Sequence, residues 1–286
     1  MSDTIDDSLE ITKSTGELVR FSLEKLRTSL KRTGAQKKTI DQIIDKVRDE
    51  LYQGISTKEI YNRAFALLKK EKSYLASRYK LKKAIYELGP TGFPFERFVS
   101  AILKYSGYDT KVNTVLQGKC VTHEIDVIAH KADETFIVEC KFHGEQGLNC
   151  NVKIPLYIHS RYEDVKSHWN HNAKHGTRLS KGWVVTNTRF TQDALEYGNC
   201  SGLYLVSWDY PKNDALKDRI DRLGLYPVTV STLLTNREKQ FLLNRDIVLC
   251  RELLHDRFYL DHLGISELRK TKILNEIDQL CHLETH

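Results

Sequence analysis

The chain has 286 residues, is 40% hydrophobic and 29% charged, and carries a formal net charge of +6 at pH 7. That length suffices for two or three compact domains. With no basic-then-apolar leader and no apolar run near ~18 residues, neither export nor membrane insertion is expected, and a cytoplasmic location is. The six cysteines, at 120, 140, 150, 200, 250 and 281, form no C-x-x-C pair, so neither a disulfide framework nor a zinc ribbon is indicated. The charge is lopsided: residues 1–90 hold 19 Lys+Arg against 13 Asp+Glu, whereas the remaining 196 hold 25 of each.

In chain order, residues 11–21 read as a hairpin turning at Thr15-Gly16. Ser22 is placed to cap a first helix, with Lys25 three residues in. A second helix is expected over about 39–52, where Ile40, Ile43, Ile44, Val47 and Leu51 recur at helical spacing. Residues 54–57 end it and cap a third, with Ile60, Ala64, Leu67 and Leu68 on one face. A fourth runs from 73 to about 87.

Hairpin and helices together resemble the ATP-cone, the nucleotide-sensing module at the front of ribonucleotide reductases and of their transcriptional repressor, over about residues 10–90. The pieces that carry the resemblance are Ile11-Thr12-Lys13, Gly16, Val19 and Phe21, then Lys25, then Gly54-Ile55-Ser56-Thr57-Lys58-Glu59-Ile60. It implies that Lys13, Lys25 and Thr57 contact the phosphates and base of ATP or dATP. Ser14 stands where the family often has Arg, and Tyr61 where reductase members have His. The positive surplus suits a triphosphate, which needs Lys or Arg as counter-charge. The same surplus also suits a basic module on nucleic-acid phosphate, or a merely solvated surface. No G-x-x-x-x-G-K-[ST] occurs, so the nucleotide is expected to regulate rather than to be hydrolysed.

The next informative stretch is His123-Glu124-Ile125-Asp126-Val127-Ile128, followed after a polar break by Phe136-Ile137-Val138-Glu139-Cys140-Lys141. Both runs are short, apolar and β-branched, and read as strands. Side chains alternate across a strand, so Glu139 and Lys141 share one face. If the runs pair as a hairpin, Asp126 comes alongside Glu139, and two carboxylates and an ammonium converge. Hard oxygen ligands suit Mg²⁺, and an adjacent lysine can orient a water for attack on phosphate. A Glu-x-Lys pair on a solvent-facing strand is the ordinary alternative. Against it, both acids lie within apolar runs, where uncompensated charge is costly.

This arrangement resembles the PD-(D/E)xK nucleases, and its surroundings resemble the Mrr-type restriction endonucleases, over about residues 89–210. Gly92 through Val99 is similar to that family's opening helix, Ser106-Gly107-Tyr108-Asp109 to the approach to its first strand, and Trp183 through Thr191 to its "VVTN-x-x-F-T" turn. The resemblance implies Asp126 and Glu139 as ligands of Mg²⁺ (or Mn²⁺), with the Cys140 carbonyl as an extra ligand, Lys141 as the catalytic lysine, and Glu96 completing the shell. Thr122-His123-Glu124 fills a place that is often glycine in the family, so His123 or Glu124 either adds to the site or flanks it.

Residues 143–160, with Gly144, Gly147, Asn149, Asn151 and Pro155, are expected to form a loop bordering the groove. A helix should follow with His168, His171 and His175 on one face, a polar face more readily than a zinc site. Further helices are expected over 233–243, 246–254 and 266–280. Leu263-Gly264-Ile265-Ser266 is loosely like a helix-hairpin-helix turn, but a small bundle packing on the core is the simpler reading.

The expected architecture is therefore α/β: a small, mostly α ATP-cone over 10–90, a restriction-endonuclease-like mixed-sheet core over 91–212, and a helical tail over 228–286. The expected activity is Mg²⁺-dependent hydrolysis of DNA phosphodiester bonds, of a restriction or defence type, controlled by nucleotide. Double-strand cleavage needs two sites, which favours a homo-oligomer. A nucleotide-responsive DNA-binding regulator without catalysis, and an RNase with the same site, are the alternatives.

Overall fold

The structure is a computed structural model that describes residues 9–13, 15–172 and 176–282. At its start, β1 (Glu10–Thr12) and β2 (Leu18–Arg20) pair antiparallel around Gly16, whose φ of +84° suits a turn that a side chain would strain. Four helices follow: α1 (Leu23–Lys31), α2 (Lys37–Asp49), α3 (Thr57–Glu71) and α4 (Ser73–Tyr86). Ser22 caps α1 by accepting from the Lys25 N–H at 3.3 Å, and Ser56 caps α3 through the Glu59 N–H at 3.1 Å. The apolar faces expected on α2 and α3 bury Ile40, Ile43, Ile44, Val47, Ile60, Ala64 and Leu68 in one core, with Leu67 half-buried beside it. Each buried Ile, Val or Leu among them contributes roughly 1.5–3 kcal/mol. The hairpin is pinned across this core: the Thr12 N–H donates to the Ile55 carbonyl at 3.0 Å, and Thr12 bridges to Ser56.

The central part comprises α5 (Phe93–Tyr105), β3 (Asp109–Gln117), β4 (Thr122–Lys131), β5 (Glu134–Lys141), β6 (Asn149–Cys150), α6 (Lys153–Trp169), β7 (Arg178–Thr186), β8 (Arg189–Phe190), α7 (Gln192–Cys200), β9 (Tyr204–Val206) and α8 (Leu216–Leu223). Five strands form a mixed sheet in the order β3-β4-β5-β7-β9. The first three pair antiparallel and the last three parallel. Parallel neighbours require crossovers, and α6 and α7 supply them. Helix α5 covers one face with Phe95, Phe98 and Ile102 near Val127 and Val138. On the other face, Tyr162, Val165 and Trp169 of α6 pack with Ile128, Ile137 and Leu179. Strands buried on both faces read as apolar runs, which is why the charges at their ends stand out.

The last part holds a 3₁₀ turn at Val228–Val230 and α9 (Asn236–Leu243), α10 (Glu252–His255), α11 (Phe258–His262) and α12 (Glu267–Cys281). Leu242, Ile273, Ile277 and Leu280 join the same core as Phe95 and Val127, so the tail packs on the sheet domain as a bundle. Inside it lies Glu276, 2% exposed. Its carboxylate accepts from the hydroxyls of Ser77 (2.9 Å), Ser231 (2.5 Å) and Thr232 (2.6 Å) and from the Thr232 N–H (3.1 Å). Helix α4 of the first domain is thereby tied to the bundle. Among the described residues no helix is long and apolar enough to cross a membrane.

Three expectations are corrected. The stretch 143–160 is not all loop: α6 starts at Lys153, and Pro155 sits in its first turn, where a missing N–H removes no helical bond. The histidine face does not form, because α6 ends at Trp169 and His171 lies beyond it, its Nδ1 2.6 Å from the Ser167 carbonyl oxygen. His175 lies outside the described residues. No continuous helix spans 246–254 either, since Asp246 adopts φ +63° and α10 begins only at Glu252.

Candidate active site

The β4–β5 pairing runs in the register Val127↔Val138, which places Asp126 across from Glu139 as the alternation requires. Asp126 Oδ2 accepts the Cys140 N–H at 2.7 Å, so the carboxylate is fixed by the backbone between Glu139 and Lys141. Opposite Asp126 on β3 stands Asn113, whose φ of +49° departs from strand geometry. The distortion and the carboxylate share one rung of the sheet.

Glu139 Oε2 accepts from Arg161 of α6 at 2.6 Å; the same guanidinium donates to the Glu124 carbonyl (3.2 Å) and the Tyr157 hydroxyl (2.6 Å). Burial and then the Asp126 charge push the Glu139 carboxyl up to about 7, against the pull of Arg161. Glu96, on the first turn of α5, is likewise pushed up to about 7 by burial and by Asp126 and Glu124, and its Oε2 is buried without a hydrogen-bond partner. Asp126 is raised chiefly by burial, with the Cys140 N–H, Arg161 and Lys141 pulling the other way. These mutual shifts place Glu96, Asp126, Glu139 and Lys141 in one electrostatic neighbourhood. Lys141 is exposed at the carboxyl end of β5. The Cys140 thiol is buried and held protonated, so only its backbone faces this chemistry.

The "VVTN" segment holds the end of β5 in place. Thr186 Oγ1 donates to the Lys141 carbonyl at 2.7 Å. The fully buried Asn187 accepts from the His143 N–H (2.9 Å) and donates to the His143 carbonyl (2.8 Å). The parallel β5–β7 pairing thus presents the candidate site at the carboxyl ends of the strands, where open α/β sheets bind ligands. His123 flanks rather than joins it: its Nε2 lies 2.8 Å from Asp164 Oδ2, and that hydrogen bond, with the Cys120 and Val121 N–H groups, holds the Asp164 carboxyl well below the usual range. Arg161 and Tyr157 escape sequence reasoning. Their four-residue spacing on a polar helix is visible, but only the crossover brings that helix over β5.

Among the described residues no three His, Cys, Asp or Glu side chains gather closely enough to enclose a metal by themselves. Any cation here would rest on Asp126 and Glu139 with backbone and solvent oxygens, a mode that suits Mg²⁺. The buried, partnerless Oε2 of Glu96 and the raised carboxyls of Glu96 and Glu139 mark a place short of positive charge, which fits such an ion.

A second candidate site is a cavity of about 490 Å³ whose wall includes Thr57, Tyr61 and Tyr79 of the first domain and Gln146 and Trp208 of the central one. Tyr61 stacks on Tyr79 at 5.0 Å, and the Arg32 and Lys82 cations lie over the Trp208 ring at 5.9 and 6.0 Å. Aromatic faces among cations suit a nucleobase and its phosphates. Of the three residues expected to hold nucleotide, only Thr57 lines this cavity. Lys13 pairs with Glu17 at 2.9 Å beside the Thr12–Ser56 bridge, and Lys25 is exposed on the first turn of α1.

Residues 9–85 match the ATP cone domain, and residues 226–281 match the family described as AF1548-like, C-terminal. An uncharacterized protein of Archaeoglobus fulgidus is 31% identical over 179 residues, a match that spans 62% of this chain and 97% of the relative. A crystal structure described as a protein of unknown function, AF1548, is 28% identical, with a TM-score of 0.55 over 67% of this chain and 98% of that one. Similarity over 97% of the Archaeoglobus relative's length, at 31% identity, and the matching C-terminal model show that the protein belongs to the AF1548-like family, here with an ATP-cone domain at its front.

Proposed function

We propose that the protein is a nucleotide-regulated, Mg²⁺-dependent endodeoxyribonuclease with a restriction-endonuclease-like core of the Mrr type. The observation that carries this reading is the β4–β5 register that sets Asp126 against Glu139 at the carboxyl end of β5, with Lys141 on the same strand and Glu96 within electrostatic reach. Asp126 and Glu139 would hold Mg²⁺ (or Mn²⁺), with the Cys140 carbonyl and water completing the shell. When bound, the cation would supply Lewis-acid polarisation of the scissile phosphate and acidify a water. Asp126 is oriented in advance by the Cys140 N–H, and Glu139 by Arg161, so neither carboxylate must be ordered when substrate arrives. The Lys141 ammonium positions the attacking water and offsets charge that develops on the phosphate. DNA is the proposed substrate, with two copies needed for a double-strand break. An RNase would use the same residues.

ATP or dATP is proposed to occupy the Trp208–Tyr61 cavity and to act as a regulator. Gln146 in its wall belongs to the segment that follows Lys141, so occupancy reaches the neighbourhood of the catalytic lysine. Trp208→Ala should weaken ATP binding about tenfold by removing an aromatic wall, as read by calorimetry. Unchanged affinity would take Trp208 out of the nucleotide site.

A metal titration tests the catalytic reading against the regulator reading. Wild type should take up Mg²⁺ or Mn²⁺, and Asp126→Asn should not. Uptake that is absent, or indifferent to Asp126, would favour a protein that only grips DNA.

A further inference from the structure

We propose that the cleft between α3, α4 and α9 is a binding site for a small phosphate-bearing anion. The cleft, about 300 Å³, is distinct from the carboxylate site and joins the ATP-cone domain to the C-terminal bundle. Lys69, Lys80, Lys83 and Lys239 all line it, against the single carboxylate of Glu87. That carboxylate is already engaged: Lys80 donates to Glu87 at 2.6 Å and to the Thr229 carbonyl at 3.0 Å.

Lys239 is the informative member. It is 5% exposed and makes no ion pair among the described residues. Burial, and then the like charge of Lys80, push its ammonium below the ordinary lysine value. The nearby Glu87 carboxylate is paired with Lys80, so two ammonium groups share one counter-charge, and packing alone gives no reason to keep a buried cation there. The hydroxyl of Tyr61, another wall residue, is buried and unpartnered, which adds a free hydrogen-bonding group. Asn236, in the same wall, is the first residue of α9, where backbone N–H groups lack helical partners. Lysines, a hydroxyl and a helix start together suit phosphate chemistry.

The cleft shares Tyr61, Asn62 and Lys83 with the Trp208 cavity. The phosphate can therefore be a free anion or the tail of a nucleotide seated next door. The second source rests on the nucleotide reading above; the first does not.

The test is calorimetric titration of pyrophosphate, and separately of ATP, into full-length wild type, Lys239→Met and Lys83→Ala. Lys83 is exposed, so its removal leaves folding intact even if Lys239→Met misfolds. Pyrophosphate uptake by wild type that falls at least tenfold in the variants supports the site. Lys239 lines this cleft and not the Trp208 cavity, so ATP affinity unchanged in Lys239→Met assigns the site to a free anion, and a parallel tenfold loss assigns it to the nucleotide tail. No uptake of pyrophosphate by wild type at millimolar concentration, or equal uptake by the variants, overturns the proposal.

Discussion

Replacing Asp126 by Asn is expected to lower DNA cleavage about 10³-fold while leaving the fold intact. The amide still offers an oxygen to the Cys140 N–H, now accepted at 2.7 Å, so the β4–β5 rung survives and only the charge is lost. Removing one preorganised electrostatic group from a site of this kind costs on the order of 10²–10³ in rate. Losing a carboxylate proposed to hold the metal belongs at the upper end. Lys141→Ala should fall in the same range, since the side chain is exposed and its backbone is held by Thr186 rather than by its own ammonium. Single-turnover cleavage at saturating enzyme separates this loss from weaker DNA binding. Wild-type rates in both variants would remove these residues from the chemistry.

The second large effect concerns stability. Glu276→Ala should destabilise the protein by about 3–5 kcal/mol, because it strips the acceptor from four donors in a buried network. In a chain of this size that corresponds to a fall in Tm of roughly 10 °C. The network joins Ser77 on α4 to Ser231, Thr232 and α12, so the variant should also loosen the ATP-cone domain from the bundle. Differential scanning calorimetry would show this as two separated transitions. A single transition at the wild-type Tm would mean that the network is not what couples the domains.

Much of this was legible in the residues. Two apolar strands with a charged pair at fixed parity can meet in few ways, and the register Val127↔Val138 is one that sets Asp126 against Glu139. The same economy made the hairpin, the Ser22 and Ser56 caps and the apolar faces of α2 and α3 readable. What sequence could not show depends on long-range placement. Arg161 reaches Glu139 only because α6 crosses between parallel strands, and Trp208 faces Tyr61 only because two domains dock. Pro155 misled for a local reason, since proline marks a loop in most settings but is tolerated in a first helical turn. The Lys13 and Lys25 expectations rest on resemblance; the cavity wall instead draws on Arg32, Arg78 and Lys82, which lay unremarked among many surface cations.

The most direct measurement is cleavage of supercoiled plasmid by the full-length protein with Mg²⁺ or Mn²⁺, with and without ATP and dATP, beside Asp126→Asn and Lys141→Ala. Metal-dependent nicking or linearisation that both substitutions abolish, and that nucleotide modulates, is the predicted result. DNA binding without cleavage under every condition, or cleavage that persists in Asp126→Asn, would contradict the nuclease assignment.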